Sequence, residues 1–406
     1  MGKGNLVIGQ SGGPTPVINA SLIGAVKEAE KHDCFGEVYG MRWGIQGFMQ
    51  EELVDLSRER EETLDLVARA PSSCLGSCRH KVGDEDLPRI LEVLKKYDIH
   101  YFLMIGGDDT QNTTYRVAGF CEHEGYECLG IGIPKTVDND LYGTDHTPGY
   151  GSAARYVALS MLQGGRLARD MQKVDPVSVY QAVGRDAGWL AASAALARAR
   201  EQDPPHLIYV PEKPFERERF IKDAELCIKR FGFVSVVVGE GITYKDSKPV
   251  SGTIVRDKFG NPEFGAMGGT SAAVIVKDMV CKALGVRGEF QVVESLQMCA
   301  ADRVSETDFE EAYRAGEEAV RLAAGGKTGL MVAFERAPGV EYKCNITAVP
   351  LQKVNESKKT MPDEFINQAG NFPTKAFLDY VRPLAGPVPA YGDLEFIKVK
   401  PGIRHS

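Results

Sequence analysis

The feature that most constrains this chain is a short apolar run that stops at paired glycines and then gives way to a helical pattern. Asn5-Leu6-Val7-Ile8-Gly9 is followed by Gln10-Ser11-Gly12-Gly13-Pro14. From about Val17 to Lys31, Ile18, Leu22, Val26 and Ala29 then fall at three- and four-residue steps. Strand, glycine loop and helix open a parallel α/β unit. The pattern recurs, with a short strand over 37–40, a helix over 87–97 and a buried strand over 101–105 that runs into Gly106-Gly107-Asp108-Asp109. A helix over 111–124 follows, then a strand over 129–133 that ends in Pro134-Lys135-Thr136-Val137-Asp138-Asn139-Asp140. Later strands over 177–182, 207–210 and 234–238 end in Val183-Gly184-Arg185, Pro211-Glu212 and Gly239-Glu240. The expected fold is α/β, a two-lobed, doubly wound parallel-sheet architecture. In such sheets ligands bind outside the carboxyl ends of the strands, where these glycines and aspartates cluster.

A chain of 406 residues suits two or three domains or one large two-lobed unit, and needs no metal or disulfide staple. The expected division is residues 1–150, residues 151–345 with part of the chain returning to the first lobe, and a C-terminal extension over 346–406. The Gly-, Pro- and Thr-rich stretch 142–151 is the expected crossing between lobes. From about Asn345 onward the pattern is irregular and Pro-rich and is expected to wrap the body. There are 48 Lys and Arg against 56 Asp and Glu, a net charge of −8. That balance argues against nucleic acid or an anionic membrane as the main partner, but leaves room for a local basic pocket. Nine mostly isolated cysteines read as reduced thiols, and Cys74 and Cys78 lack the second pair that a zinc site needs. With no signal-peptide core after Met1 and no apolar run approaching the ~18 residues of a membrane span, a cytoplasmic location is expected.

Several motifs carry chemistry. Gly12-Gly13, between a strand and a helix start, could cradle a phosphate or be a simple tight turn. It is not a dinucleotide fingerprint, because G-x-G-x-x-G is absent. Gly326-Lys327-Thr328 resembles the end of a phosphate-binding P-loop, but Arg321 occupies the place of the first glycine, so a helix-ending turn is expected. In Gly106-Gly107-Asp108-Asp109, Asp108 could hold Mg²⁺, or one of the two aspartates could cap the next helix. The run from Lys135 to Asp140 packs a cation, a hydroxyl, an amide and two carboxylates into six residues. Phosphoryl transfer asks for these types together: a base, a metal ligand and a cation for the transferred charge. Arg79 and Arg185, each placed close after a glycine, are candidate phosphate or hydroxyl clamps.

Taken together these blocks resemble the phosphofructokinase family. The matching segments are Ser11-Gly12-Gly13, Leu75-Gly76-Ser77-Cys78-Arg79, Gly106-Gly107-Asp108-Asp109, Ile133 to Asp140, Gly143-Thr144-Asp145 and Val183-Gly184-Arg185, in order over roughly the first 190 residues. The resemblance implies an Mg²⁺-dependent phosphotransferase in which residues 1–150 take the donor and residues 151–345 the sugar phosphate. Gly12 and Gly13 would meet the donor and Asp108 the Mg²⁺. Asp138 would take the proton from the sugar 1-hydroxyl with support from Asp140. Arg79 would neutralise the transferred phosphate, and Lys135 would sit on the developing charge. Thr136, Val137, Val183, Gly184, Arg185 and Glu240 would meet the sugar phosphate.

Asp109 and Lys135 stand where the ATP-using members carry glycine, a pair that marks pyrophosphate users. A carboxylate at 109 repels a nucleotide's α-phosphate. The implied reaction is reversible phosphorylation of fructose 6-phosphate to the 1,6-bisphosphate by pyrophosphate. The alternatives are another acceptor, ATP as donor, or a non-catalytic sugar-phosphate sensor; intact Asp108, Lys135 and Asp138 weigh against the sensor. At Pro176 and Met298 the family usually has arginines near the 6-phosphate. An Arg or Lys from another sequence position is expected at the 6-phosphate instead, and Arg155, Arg166, Lys173, Arg287 or Arg303 could compensate. A homo-oligomer, dimer or tetramer, is also expected.

Overall fold

The computed structural model describes residues 3–252, 255–256, 262–263, 270–339 and 341–399. Its strands are β1 (Gly4–Gln10), β2 (Phe35–Met41), β3 (Leu53–Asp55), β4 (Ile99–Gly106), β5 (Leu129–Pro134), β6 (Val177–Ala182), β7 (Leu207–Tyr209), β8 (Val234–Gly239), β9 (Val255–Arg256), β10 (Pro262–Glu263), β11 (Gly288–Val292), β12 (Leu330–Arg336) and β13 (Cys344–Pro350).

The runs read as buried strands are buried because both faces of their sheet are covered. On β1, Leu6 and Ile8 point into one core cluster and Val7 into another. On β4, Leu103 and Ile105 take the first side and Phe102 and Met104 the second. Period-two alternation with apolar residues on both sides is the mark of a parallel sheet layered between helices. The first sheet has the order β13-β12-β5-β4-β1-β2-β3. Its five central strands are parallel, and β3 and β13 pair antiparallel at the two edges. The second sheet, β11-β6-β8-β7, is parallel throughout.

The helix Ile18–Ala29 covers one face of the first sheet together with the helix Glu306–Ala324, which arrives from far along the chain. These two helices touch backbone to backbone: a Cβ at Gly24 would fall 2.1 Å from the Tyr313 carbonyl oxygen, and one at Gly316 2.0 Å from that of Ser21. The segment after β5 leads through residues 141–149 into the long helix Tyr150–Asp170 and from there to β6. That helix has no capping side chain of its own. Asp308 supplies one, accepting from the backbone N–H groups of Gly149 and Ser152 at 2.9 Å each. Gly326-Lys327-Thr328 is indeed a turn after the returning helix; the Thr328 hydroxyl accepts from the Gly130 N–H at 3.0 Å, where β12 joins β5.

The chain beyond Asn345 is more regular than its prolines suggest. It holds most of β13 and the helices Leu351–Glu356 and Lys375–Ala385. Pro383 lies within the last of these, in its final turn, and leaves the Asp379 carbonyl without the N–H that another residue would offer it. Residues 400–406 lie outside the described residues. Among the described residues no helix is long and apolar enough to cross a membrane.

Candidate active site

The carboxyl ends of β1, β4, β5, β6 and β8 converge on a cleft of about 750 Å³. Gly12, Gly13, Arg79, Asp108, Asp109, Lys135, Thr136, Val137, Asp138, Asp140, Val183, Arg185 and Glu240 all line it. Of the residues expected at the site only Gly184 is behind the wall. It has φ +126°, where a Cβ would fall 2.3 Å from the Ala187 carbonyl oxygen, and its N–H donates to Glu240 Oε1 at 3.2 Å. Gly184 therefore shapes the loop and orients Glu240 rather than offering a surface of its own.

The loop after β1 turns at Gly12, with φ +78°, and its Gly12 N–H is already spent on the Cys78 carbonyl at 3.3 Å. The helix begins only at Ile18, so its N-terminus stands off from the glycines. What crosses the glycine loop is Lys135. Its ammonium donates to the Gly13 carbonyl at 2.6 Å and lies 3.2 Å from where a Gly12 Cβ would be. Lys135 is 3% exposed, and burial lowers its ammonium to about 8, although Asp138 and Asp140 work the other way. Asp138 follows three residues later. Its N–H donates to the Thr136 hydroxyl at 3.1 Å. Burial, then the Asp140 carboxylate, raises its carboxyl to about 6 against the pull of Arg185 and Lys135.

Asp108 and Asp109 occupy the first turn of the helix Asp108–His123, whose N-cap is Gly107, so neither aspartate is the cap. Asp109 is exposed and pairs with Lys81 at 3.3 Å. Asp108 Oδ1 is buried with no hydrogen-bond partner among the described residues, and burial together with Asp140 raises its carboxyl to about 7. A buried carboxylate oxygen left without a donor suits a metal ligand. Across the cleft carboxylates outnumber lysines and arginines, so a polyphosphate needs added positive charge to enter. Burial, and then Asp138, raises Glu240 to about 8, against the Gly184 N–H.

The sequence overlooked several cleft residues. Lys81, Asp186, Glu294, Asn355 and Lys358 all reach it. Lys358, 3.5 Å from Asp186, arrives from the segment read as irregular wrapping, which is why no motif flagged it.

None of the basic residues that could stand in for the missing arginines lines the cleft of this chain, and four of the five have partners elsewhere. Arg155 donates to the Pro387 carbonyl, Arg166 binds Asp393, Arg287 pairs with Asp175 and Arg303 donates to Ser160; neither these nor Lys173 lines the cleft. Pro176 precedes β6, at the end of the strand away from the cleft, whereas Met298 does line it, with its sulfur 3.7 Å from where a Gly13 Cβ would be.

Residues 5–323 match the sequence pattern of the phosphofructokinase family. The chain is 37% identical over 391 residues to a pyrophosphate–fructose 6-phosphate 1-phosphotransferase of Halomonas elongata, covering 95% of this chain and 92% of that protein. It is 31% identical over 364 residues to a sulfofructose kinase of Alkalicoccus urumqiensis, covering 89% of this chain and 92% of that one. A solved pyrophosphate-dependent phosphofructokinase from Marinobacter aquaeolei superposes with a TM-score of 0.86 at 36% identity, over 99% of this chain and 98% of that structure.

Proposed function

The chain belongs to the phosphofructokinase family, and we propose that it transfers a phosphoryl group reversibly from pyrophosphate to the 1-hydroxyl of fructose 6-phosphate. The observation that carries this reading is Lys135, a buried ammonium laid across the Gly12-Gly13 loop from the strand end that also bears Asp138. There it can meet the charge that builds on the bridging oxygen as pyrophosphate splits. The family relatives of high coverage carry names that agree with this donor and acceptor.

In this reading Asp138 accepts the proton of the attacking hydroxyl, and its raised carboxyl keeps it a usable base near neutral pH. Asp140 supports it. Arg79, Gly12 and Gly13 meet the donor phosphates, and Asp109 with its partner Lys81 closes the space that a nucleotide would need. Thr136, Val137, Val183, Arg185 and Glu240 bind the sugar phosphate, with Gly184 orienting Glu240. A phosphotransferase of this family implies a divalent cation. We assign it as Mg²⁺, with Asp108 as its ligand, where it would screen the charge of the phosphates. Residues 1–150 and the returning strands β12 and β13 form the donor lobe, and the second sheet forms the acceptor lobe. The nine free thiols fit a reducing cytoplasm, and the assembly is a dimer or tetramer.

Met298 favours a second reading, with the same donor and a different acceptor. It places a thioether in the cleft where the family resemblance calls for an arginine, and one relative is named for sulfofructose. The test is a matrix of pyrophosphate and ATP against fructose 6-phosphate, sulfofructose and other sugar phosphates, with Mg²⁺ present. The proposal expects pyrophosphate with fructose 6-phosphate to give the highest kcat/KM. A higher value with ATP rejects the donor, and a higher value with another acceptor selects the second reading.

A further inference from the structure

The residue between the two catalytic aspartates is held from outside the cleft. Asn139 is fully buried and has φ +54°, a left-handed conformation in which a non-glycine residue needs support. Both ends of its amide are gripped. Its Nδ2 donates to the Tyr380 hydroxyl at 2.9 Å, and its Oδ1 accepts from the Lys359 ammonium at 3.3 Å. Tyr380 donates in turn to the Asp145 carbonyl at 2.8 Å, and Lys359 also donates to that carbonyl. The Lys359 backbone N–H donates to the Asp140 carbonyl at 3.0 Å, and Leu141 bridges antiparallel to Lys358.

The two grips have rigid footings. Lys359 Nζ lies 4.8 Å from the centre of the Trp189 ring, and the Tyr380 ring packs 5.3 Å from the same tryptophan. Lys359, Tyr380 and Asn139 do not line the cleft. A mostly buried lysine whose ammonium is met by two carbonyl oxygens and a ring face, with no bonded carboxylate among the described residues, is costly to keep for stability alone.

We propose that Lys359 and Tyr380 are positioning residues, a clasp from the C-terminal segment that holds Asn139 and thereby fixes Asp138 and Asp140 relative to each other. The inference rests on the reading of Asp138 as the proton acceptor. It deepens that reading by assigning residues that never touch substrate.

Asn139→Gly separates the clasp from the backbone, because glycine adopts φ +54° freely while both tethers are lost. A displacement of about 1 Å at a catalytic group can cost on the order of 10²-fold. The expected result for Asn139→Gly is therefore a kcat lower by about 10- to 100-fold, KM values within about threefold of wild type, and faster amide hydrogen exchange over 136–145. Tyr380→Phe and Lys359→Met should each show a smaller version of the same split. Tyr380→Phe combined with Asn139→Gly should be no worse than Asn139→Gly alone, since the Tyr380 tether is one of the two that Asn139→Gly already removes.

A kcat within about threefold of wild type in Asn139→Gly overturns the proposal, as does full multiplication of the two effects. If Asn139→Gly does not fold, Tyr380→Phe is measured by the same readouts, and an unchanged kcat and unchanged exchange in it overturn the proposal equally. A wild type inactive on pyrophosphate and fructose 6-phosphate rejects the functional reading instead. In that case unchanged exchange over 136–145 in the variant still rejects the clasp.

Discussion

Lys135 and Asp138 tune each other. The ammonium lowers the carboxyl and the carboxylate raises the ammonium, while burial opposes both charges and leaves Asp138 at about 6 and Lys135 at about 8. In the role proposed for it Asp138 works when ionised, so kcat/KM should rise as pH climbs through about 6. In its proposed role Lys135 works when protonated, so the same quantity should fall as pH passes about 8. The profile of the free enzyme is thus expected to be a bell with those limbs, and a flat profile across the range would remove both residues from the chemistry. Asp138→Asn should fold normally and lower kcat by about 10²–10⁴-fold, and the step near pH 6 should vanish from the acid limb with it. For the donor, Asp109→Gly with Lys135→Gly should abolish pyrophosphate use and open space for a nucleotide; retained pyrophosphate turnover would show that Lys135 does not act on the leaving group. At this scale the site was legible wherever residue types cluster within a few positions of a strand end, as from Lys135 to Asp140. Lys358, Lys359 and Tyr380 were not, because each reaches the loop from a segment with no motif of its own.

Elements were legible where periodicity is local. The strand 177–182 falls at its expected bounds, and the first helix, β4 and β5 lie within two or three residues of theirs. The edge strands β3, β11 and β13 were not, because they bury too little of either face to show a clean alternation, whereas the edge strand β7 is buried throughout and was legible. Nor could the sequence around the first helix reveal what lies upon it. Gly24 looks like a weak helix residue, whose replacement by alanine should gain up to about 1 kcal/mol of propensity. The fold reverses that sign. A methyl group 2.1 Å from the Tyr313 carbonyl cannot be accommodated unless the helix Glu306–Ala324 moves, and overpacking of this kind costs about 1–3 kcal/mol. Gly24→Ala should therefore lower the urea midpoint while leaving activity at low temperature nearly intact. A variant as stable as wild type would mean that the two helices part without cost.

The molecule as a whole is tied together by that same returning helix. Asp308 caps the helix Tyr150–Asp170, and one turn later Glu311 meets His146 in the crossing segment between the sheets. His146 is 2% exposed, and both ring nitrogens face carboxylates: Nδ1 meets Asp145 at 2.9 Å and Nε2 meets Glu311 at 2.6 Å. Each contact needs a proton between the two atoms, and with both carboxylates ionised the ring is held as an imidazolium. Burial works against that charge, but the two carboxylates prevail and its pKa is raised above the ordinary histidine value of 6.5. Arg336 on Asp145 and the Tyr342 hydroxyl on Glu311 complete the network, which joins β12 and the segment beyond it to the crossing.

A histidine whose folded pKa is raised contributes its full stabilisation below the unfolded value and loses it as pH rises through the folded one. Stability should therefore decline on the alkaline side of about 6.5. His146→Gln should flatten that part of the curve and cost about 3–5 kcal/mol near neutral pH, because it leaves the buried Glu311 carboxylate without a cation, while the half-buried Asp145 keeps Arg336. Urea unfolding of wild type and His146→Gln between pH 6 and 9 decides the matter, since every other titrating group is common to both proteins. Parallel curves would mean that His146 is neutral in the folded protein and that Glu311 carries the proton instead.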